Sequence, residues 1–268
     1  MVMWMLLGLL AGVALNSLAD NLPPDALGGR YAPRAPRCHY CGRPHQRRYW
    51  LALASVVGRH GRCEHCAAPR PLRQALVEVG TGLSWAWAWQ WAGGAWGLFL
   101  PAVVMVSIFI LIAVIDIEHR LILWNVIWPS ALLVALINGL TPDRGWAKTL
   151  LGGLAGYGIV WGVYKFAEGY AWLAGRLRGE PLTEVAFGGG DVNLAGVLGL
   201  AVGWTGILLS LMITVLAGGL FSLAYVALQI LRRRYNPHTA IPYGPFLILG
   251  AVVIYFFGAN LKALAAGR

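Results

Sequence analysis

Two aspartates in this chain could carry acid–base chemistry. Asp191 follows three glycines, Gly188, Gly189 and Gly190, and opens a long apolar run, and Asp116 closes another apolar run. An ionisable carboxylate at the mouth of a membrane segment is costly, so it indicates a functional site. Two carboxyl groups within a few Å of each other share a proton, so the ionised one can activate water while the protonated one polarises a carbonyl. The pair therefore predicts peptide-bond hydrolysis without a metal.

Each aspartate also has a simpler interpretation. Asp116 could pair with Arg120, one helical turn away, and Asp191 could be the N-cap of the helix that follows it. Glu118 and His119 could form another acid–base set, although neighbours on a helix point to different faces, which favours solvated interface residues. The residues alone leave these interpretations open.

All four cysteines lie in one basic segment as two Cys-x-x-Cys pairs, Cys38 with Cys41 and Cys63 with Cys66. Two such pairs are typical of a tetrathiolate zinc site, and a closed site of this kind has a structural role. The alternative is two disulfides, which a reducing cytoplasm disfavours. Zinc would fold an Arg- and Pro-rich segment that is too small to build its own core.

The composition predicts an all-α membrane protein with several spans. The chain has 268 residues and is 58% hydrophobic and only 12% charged, whereas soluble domains carry roughly 25% charged residues. The formal net charge of +10 comes from residues that lie mostly between apolar runs, which indicates membrane topology rather than a nucleic-acid partner.

The apolar runs predict about eight transmembrane helices. The first occupies residues 1–19, a cytoplasmic zinc-binding loop occupies 20–75, and residues 76–268 hold helices two to eight with the aspartates. The excess of arginine in the loop places it in the cytoplasm, with the N-terminus outside and both aspartates facing the cytoplasm. No internal repeat is evident.

Two apolar runs are too long for one span at 1.5 Å per residue. Residues 79–115 are predicted to turn at Gly93-Gly94, and residues 192–231 at 203–206, where glycines favour a turn. The fifth span is predicted to run from about Thr149 to Tyr164, with Arg176 and Arg178 in a cytoplasmic loop.

Three asparagines in apolar runs, Asn16, Asn125 and Asn138, are predicted to form hydrogen bonds between helices rather than to bind a ligand. Glu78 is open to two interpretations, a functional carboxylate or a charge near a helix N-terminus.

Several motifs occur in a fixed order along the chain. They are Gly8-x-x-x-Gly12 with Asn16 and Leu22-Pro23, the paired cysteines, Leu76-Val77-Glu78, Ile115-Asp116-x-Glu118, Phe187-Gly188-Gly189-Gly190-Asp191-Val192 and Ile241-Pro242-Tyr243-Gly244-Pro245-Phe246. In this order they resemble type IV prepilin peptidases, the leader peptidase/N-methyltransferases of type IV pilus and type II secretion systems.

The resemblance implies that Asp116 and Asp191 are the catalytic pair of a Gly-x-Gly-Asp intramembrane protease. The substrates would be prepilins or pseudopilins, cut after a glycine at the cytoplasmic face of the bacterial inner membrane. Methylation of the new N-terminus with S-adenosylmethionine would follow, and no residue is assigned to that cofactor. Leu123, Asn193 and Asn21 depart from the proline, lysine and arginine that the family commonly has there.

Three rival functions remain from the sequence. The first is another Gly-x-Gly-Asp protease with a different membrane substrate, against which the zinc loop argues. The second is a non-enzymatic membrane scaffold that docks a partner through the zinc loop. The third, a transporter, is disfavoured because the charged groups lie at one face rather than near the midplane. The sequence sets no oligomeric state.

Overall fold

The structure, a computed structural model, is all-helical, as predicted. It describes residues 1–23, 36–38, 40–44, 46, 50–53, 62–141, 144–178, 188–233 and 242–265. Seven helices lie in these described residues: α1 Val2–Asn21, α2 Leu72–Trp91, α3 Trp96–His119, α4 Trp124–Leu140, α5 Gly145–Arg178, α6 Gly189–Leu231 and α7 Gly244–Ala265. Phe187 and Ile241 of the motifs lie outside the described residues.

The chain forms two compact units, Met1–His119 and Arg120–Arg268. The N-terminal unit contains α1 to α3 and the cysteine segment, and the C-terminal unit contains α4 to α7. Asp116 belongs to the first unit and Asp191 to the second.

Small residues let α1 and α2 approach closely within the N-terminal unit. A Cβ atom added to Gly12 would lie 2.6 Å from the Cα atom of Glu78, and Gly8 on the same face makes a similarly close approach. Asn16 Nδ2 donates a 2.8 Å hydrogen bond to the backbone carbonyl of Gln74. This interhelical bond confirms the predicted role of Asn16, and the glycine contact is typical of membrane helix pairs.

The predicted turn between α2 and α3 is confirmed. Gly93 and Gly94 have φ of 56° and 80°, in the left-handed region that glycine adopts without a steric penalty. At the other end of α3, Arg120 also has a left-handed backbone (φ 53°) directly after His119, the last helical residue.

Helix α6 is broken at Gly203, as predicted for the run 192–231. Gly203 has φ 75° and ψ 174°, so residues 189–202 and 204–231 are separate helical segments. Two carbonyl groups beside the break have side-chain partners, because Asn138 Nδ2 donates to Leu200 (2.9 Å) and Ala201 (3.1 Å) and Arg144 also donates to Ala201. These bonds confirm Asn138 as an interhelical hydrogen-bonding residue, and they satisfy backbone groups that would be costly to leave unpaired in a membrane.

Glycines also bring α5 and α6 together in the C-terminal unit. A Cβ atom added to Gly199 would lie 2.0 Å from the carbonyl oxygen of Gly152, and one added to Gly156 would lie 2.3 Å from the carbonyl oxygen of Ala195. No larger residue fits at these crossings without moving the backbone.

The prediction that Arg176 and Arg178 lie in a loop is wrong. Helix α5 continues to Arg178, and Arg176, predicted to lie in a loop, is helical. Charge marks where a helix leaves an apolar environment but does not break the helix. Lys165 and Glu168 form an exposed ion pair of 2.8 Å, and Arg176 lies 5.4 Å from the ring of Trp172; such pairs stabilise an exposed helix.

Three of the described helices, α1, α3 and α6, are long and apolar enough to cross a membrane by length and composition. Two shorter apolar helices are α4 and the Gly244–Ala259 part of α7. A helical membrane protein is therefore supported, and the count of eight spans is not confirmed.

Candidate active site

The cysteine segment brings its four thiols together. Their sulfur atoms all lie within 4.8 Å of one another, with Cys38 Sγ 3.6 Å from Cys66 Sγ and Cys41 Sγ 3.7 Å from Cys63 Sγ. All four are free thiols, so the disulfide alternative is wrong. Four ligands at about 2.3 Å around a tetrahedral zinc ion would be about 3.8 Å apart. The cluster therefore fits zinc, and Cys38, Cys41, Cys63 and Cys66 would hold it.

Backbone groups prepare one of these thiols for a metal. The N–H of His65 lies 3.5 Å from Cys63 Sγ, and the N–H groups of His65 and Cys66 lower the pKa of the Cys63 thiol to about 6. Although the N–H of Ala68 lowers it, the pKa of the Cys66 thiol is raised by burial and by the neighbouring cysteines. Of these two thiols, Cys63 is therefore the one that more readily becomes the thiolate that binds metal.

The two cysteine pairs are copies of one turn, so the expectation that the chain has no internal repeat is wrong for this segment. Each pair stands in the pattern Arg-Cys-x-x-Cys-x-x-Pro, and an isolated antiparallel bridge joins the first and last residues of each copy, 37 to 44 and 62 to 69. In each copy the residue after the second cysteine has positive φ, 68° at Gly42 and 57° at Ala67. We call these two copies knuckle 1 (37–44) and knuckle 2 (62–69).

Asp116 lies in the last turn of α3 and is buried, with 6% of its surface exposed. The one-turn pairing with Arg120 would need the helix to continue, but the helix ends at His119. Glu118, two residues further on, is not a freely solvated carboxylate either. Its Oε1 atom lies 2.7 Å from Nε of Arg73 on α2, in an ion pair.

Asp191 lies in the first turn of α6 and is also buried, at 9% exposed. The helix is capped by Gly188, which has an extended backbone, so the prediction of Asp191 as the N-cap residue is wrong. Asp191 occupies the third helical position instead, where its Oδ2 atom accepts a 3.2 Å hydrogen bond from the N–H of Gly188. This is one half of a capping box, and it satisfies an N–H group that the helix itself leaves unpaired.

The three glycines before Asp191 have different surroundings. A Cβ atom added to Gly190 would lie 2.8 Å from the Cβ atom of Ile122, whereas one added to Gly189 would meet nothing within 4 Å. At Gly188 the nearest atom would be Asp191 Oδ2, at an ordinary 3.5 Å. Of the three, only Gly190 is required by packing.

Glu78 has a role that the sequence did not indicate. It lies in the second turn of α2 and is 1% exposed. Its two carboxylate oxygens accept hydrogen bonds from the backbone N–H groups of Ala52 (2.9 Å) and Leu53 (2.8 Å). Glu78 therefore holds the segment between the knuckles to α2. The only sequence signal was an acidic residue inside an apolar run, which a buried partner must compensate.

Two family descriptions match the chain, and together they span most of it. "Bacterial Peptidase A24 N-terminal domain" matches residues 6–91, and "Type IV leader peptidase family" matches residues 103–223. These matches define the class of protein, a helical membrane enzyme of the aspartic peptidase type. The chain belongs to the type IV leader peptidase family, whose members reside in the inner membrane.

Individual relatives agree with the family. A prepilin leader peptidase/N-methyltransferase of Burkholderia pseudomallei is 27% identical over 97% of this chain and 86% of its own length. Proteins of the same name from Stutzerimonas stutzeri and Pseudomonas aeruginosa are each 26% identical, over 91% and 96% of this chain and 79% and 90% of their own lengths. No solved structure matches the chain.

Proposed function

We propose that this protein is a prepilin leader peptidase that uses Asp116 and Asp191 as its catalytic carboxyl groups. The observation that carries the proposal is the match to the peptidase family over residues 103–223, a range that includes both aspartates. Each aspartate is buried at one end of a helix, α3 or α6. Buried carboxylates at helix ends in an apolar protein are typical of a reaction centre.

The proposed reaction consumes one water molecule. The ionised carboxylate takes a proton from water as the water oxygen bonds to the scissile carbonyl carbon, and the protonated carboxyl donates a hydrogen bond to the carbonyl oxygen. The C–N bond then breaks as the protonated carboxyl gives its proton to the leaving nitrogen, which becomes a free amine, while the other carboxyl keeps the proton taken from water. The products are a leader with a new carboxyl end and a mature protein with a new N-terminal amine.

We propose prepilins or type II secretion pseudopilins as substrates, because the relatives are named for prepilin leaders. The arginine-rich segment 20–75 supports a cytoplasmic location for that loop and for both aspartates, with the N-terminus outside. A leader on the cytoplasmic side of an apolar substrate helix would then reach the aspartates from the bilayer.

We further propose that the enzyme methylates the new amine, because the relatives are named N-methyltransferases. S-adenosylmethionine supplies an electrophilic methyl group to an amine, and we assign no residue of this chain to it. Zinc at Cys38, Cys41, Cys63 and Cys66 would have a structural role, since all four coordination positions would be filled by the protein.

Cleavage of a prepilin from the same genome, in proteoliposomes and followed by mass spectrometry, tests the proposal. Wild type should cut after the leader glycine, and Asp116→Asn and Asp191→Asn, which keep the side-chain size, should each lose at least about a thousandfold in rate. A gain of one methyl mass would support the second activity. Cleavage by either Asn variant without this loss of rate would contradict the two-aspartate assignment. No cleavage by zinc-loaded wild type would favour a scaffold that docks a partner through the zinc loop.

A further inference from the structure

A single arginine joins the three helices of the N-terminal unit near the end of α3. Arg73, in the first turn of α2, forms ion pairs with Asp20 on α1 and with Glu118 on α3, where Nε and Oε1 are 2.7 Å apart. Its Nη1 atom also donates a 3.2 Å hydrogen bond to Asn16 Oδ1 on α1. Gln74 Nε2 donates to the other oxygen of Asp20 at 3.3 Å. We call these five residues the Arg73 network.

The Arg73 network is partly removed from water. The exposed fractions of the Arg73, Asp20 and Glu118 side chains are 17%, 18% and 26%. Ion pairs at this depth are screened less than surface pairs. Removal of one partner is more damaging than at the surface, because the other partner's charge remains desolvated. Without Arg73, two carboxylates from different helices would share one partly buried site.

The network contacts α3 in the turn that carries Asp116. Helix α3 ends at His119, and Glu118 lies two residues after Asp116. The last turn of a helix lacks hydrogen bonds for its carbonyl groups and frays unless tertiary contacts hold it. The Arg73–Glu118 ion pair is such a contact. Arg73 Nε makes no hydrogen bond within the described residues, so the attraction to Glu118 is one of charge, and the same guanidinium links this turn to α1 and α2.

We propose that Arg73 is a positioning residue that fixes the α3 end, and therefore the Asp116 carboxyl, for cleavage. This inference rests on the proposed function. Arg73 acts through Glu118 and the backbone of the last turn, and it is not itself assigned to the substrate. A displacement of about 1 Å at a reacting group reduces a rate about a hundredfold, so this anchor should determine kcat.

The test compares four variants in the prepilin cleavage assay. Arg73→Met removes the charge but keeps an unbranched side chain, and should lower kcat about 10- to 100-fold with KM within about twofold. Glu118→Gln removes only the charge on α3 and should give a smaller fall in kcat. Asp20→Asn, which touches the same guanidinium but not α3, should lower kcat least. Arg232→Met, at an exposed arginine after α6, is the matched control and should behave as wild type.

The double variant Arg73→Met/Glu118→Gln separates positioning from general stabilisation. If Arg73 acts through Glu118, the double variant should cut no more slowly than Arg73→Met alone, because interacting residues are not additive. A purely structural role would instead lower the melting temperature and the active fraction of enzyme, leaving the rate per active molecule unchanged. Active fraction is measured by titration with a tightly binding substrate analogue that cannot be cleaved.

Several results would overturn the inference. One is a wild-type kcat for Arg73→Met. Another is a loss of activity in Arg73→Met that is fully explained by a smaller fraction of active enzyme. If Arg73→Met does not fold, the Glu118→Gln variant is decisive, because it leaves Arg73 in contact with Asp20 and Asn16. A wild-type kcat for Glu118→Gln would then overturn the inference. Failure of wild type to cleave overturns the proposed function as well, whereas cleavage by wild type and Arg73→Met at equal rates overturns only the positioning role.

Discussion

The two aspartates are held in different ways by their two units. In the N-terminal unit, Asp116 lies at the C-terminal end of α3, in the turn that the charged Arg73–Glu118 pair joins to α2. In the C-terminal unit, Asp191 lies at the N-terminal end of α6, where the tightest constraint is the contact of Gly190 with Ile122. The end of α3 is therefore held by ion pairs across helices, and the start of α6 by close packing.

This difference shows that the same type of side chain can be positioned by two kinds of interaction in one protein. Ion pairs are sensitive to the loss of charge and tolerate modest changes of shape, whereas a close glycine contact is sensitive to a single added methyl group. We therefore expect the end of α3 to be sensitive to charge-removing substitutions and the start of α6 to be sensitive to volume-adding substitutions. The following predictions test that division, beginning with the largest effect.

Loss of one cysteine should have the largest effect, and it should be confined to the N-terminal unit. Cys63→Ser removes one of four thiolates, and structural zinc contributes about 10 to 16 kcal/mol in zinc-finger peptides. We expect one zinc per chain in wild type by elemental mass spectrometry and almost none in the variant. Hydrogen exchange should rise across the two knuckles and remain unchanged in α5 and α6. Zinc-free wild type with protected knuckles would contradict this prediction.

Gly190→Ala should lower cleavage about 10- to 100-fold through displacement of the α6 end. The added Cβ would lie 2.8 Å from the Cβ atom of Ile122, closer than non-bonded carbons approach. Gly189→Ala is the matched control, because its Cβ would meet nothing within 4 Å, and should cut like wild type. Ile122→Gly, which removes the contacted Cβ atom, should restore part of the activity in the Gly190→Ala background. Equal losses at both glycines would show that packing is not the cause.

Glu78→Gln should loosen the segment between the knuckles, an effect smaller than that of Gly190→Ala. The carboxylate accepts two backbone hydrogen bonds, from Ala52 and Leu53, and an amide presents only one oxygen to them. Hydrogen bonds to charged groups contribute about 1.5 to 3 kcal/mol. Hydrogen exchange at residues 52 and 53 should accelerate accordingly. Glu64→Gln, at an exposed glutamate, should leave that exchange unchanged, and an equal acceleration there would contradict the specific role of Glu78.

Ala67→Gly should give the smallest effect, a slight stabilisation of knuckle 2. Ala67 has φ 57°, whereas the equivalent residue of knuckle 1 is Gly42, and a left-handed backbone costs an alanine about 1 kcal/mol. Zinc release to a competing chelator should therefore be up to about fivefold slower. Gly42→Ala should accelerate release by a similar factor. The two variants must therefore change the rate of zinc release in opposite directions, and a change in the same direction would contradict the equivalence of the knuckles.

Local signals in the sequence predicted many features correctly. The glycine pair at Gly93-Gly94 and the break at Gly203 follow from backbone conformations that glycine adopts readily. The cysteine cluster follows from ligand spacing, and Asn16 and Asn138 follow from the cost of a polar group in an apolar helix. These features depend on a residue and its near neighbours, so one sequence is enough to predict them.

Features that depend on distant partners could not be predicted in the same way. Glu78 binds residues 52 and 53, and Arg73 joins Asp20 to Glu118, and no local pattern specifies those partners. The length of α5 was underestimated because charge was taken as the end of the helix. The repeat in the two knuckles is short, so it becomes evident only when matching bridges and backbone angles are compared.

The duplicated knuckle has a consequence for the order of events during synthesis. Each knuckle supplies only two of the four thiolates, and equivalent cysteines are separated by 63 − 38 = 25 positions. At about 5 to 20 residues per second, knuckle 1 would wait roughly one to five seconds for its partner. Residues 72–91 are translated later still, so metal capture can precede the contact of Gly12 with Glu78 that closes α1 against α2. Zinc supply while the ribosome is still translating the chain would then set the yield of folded protein, and zinc added after purification would not recover it.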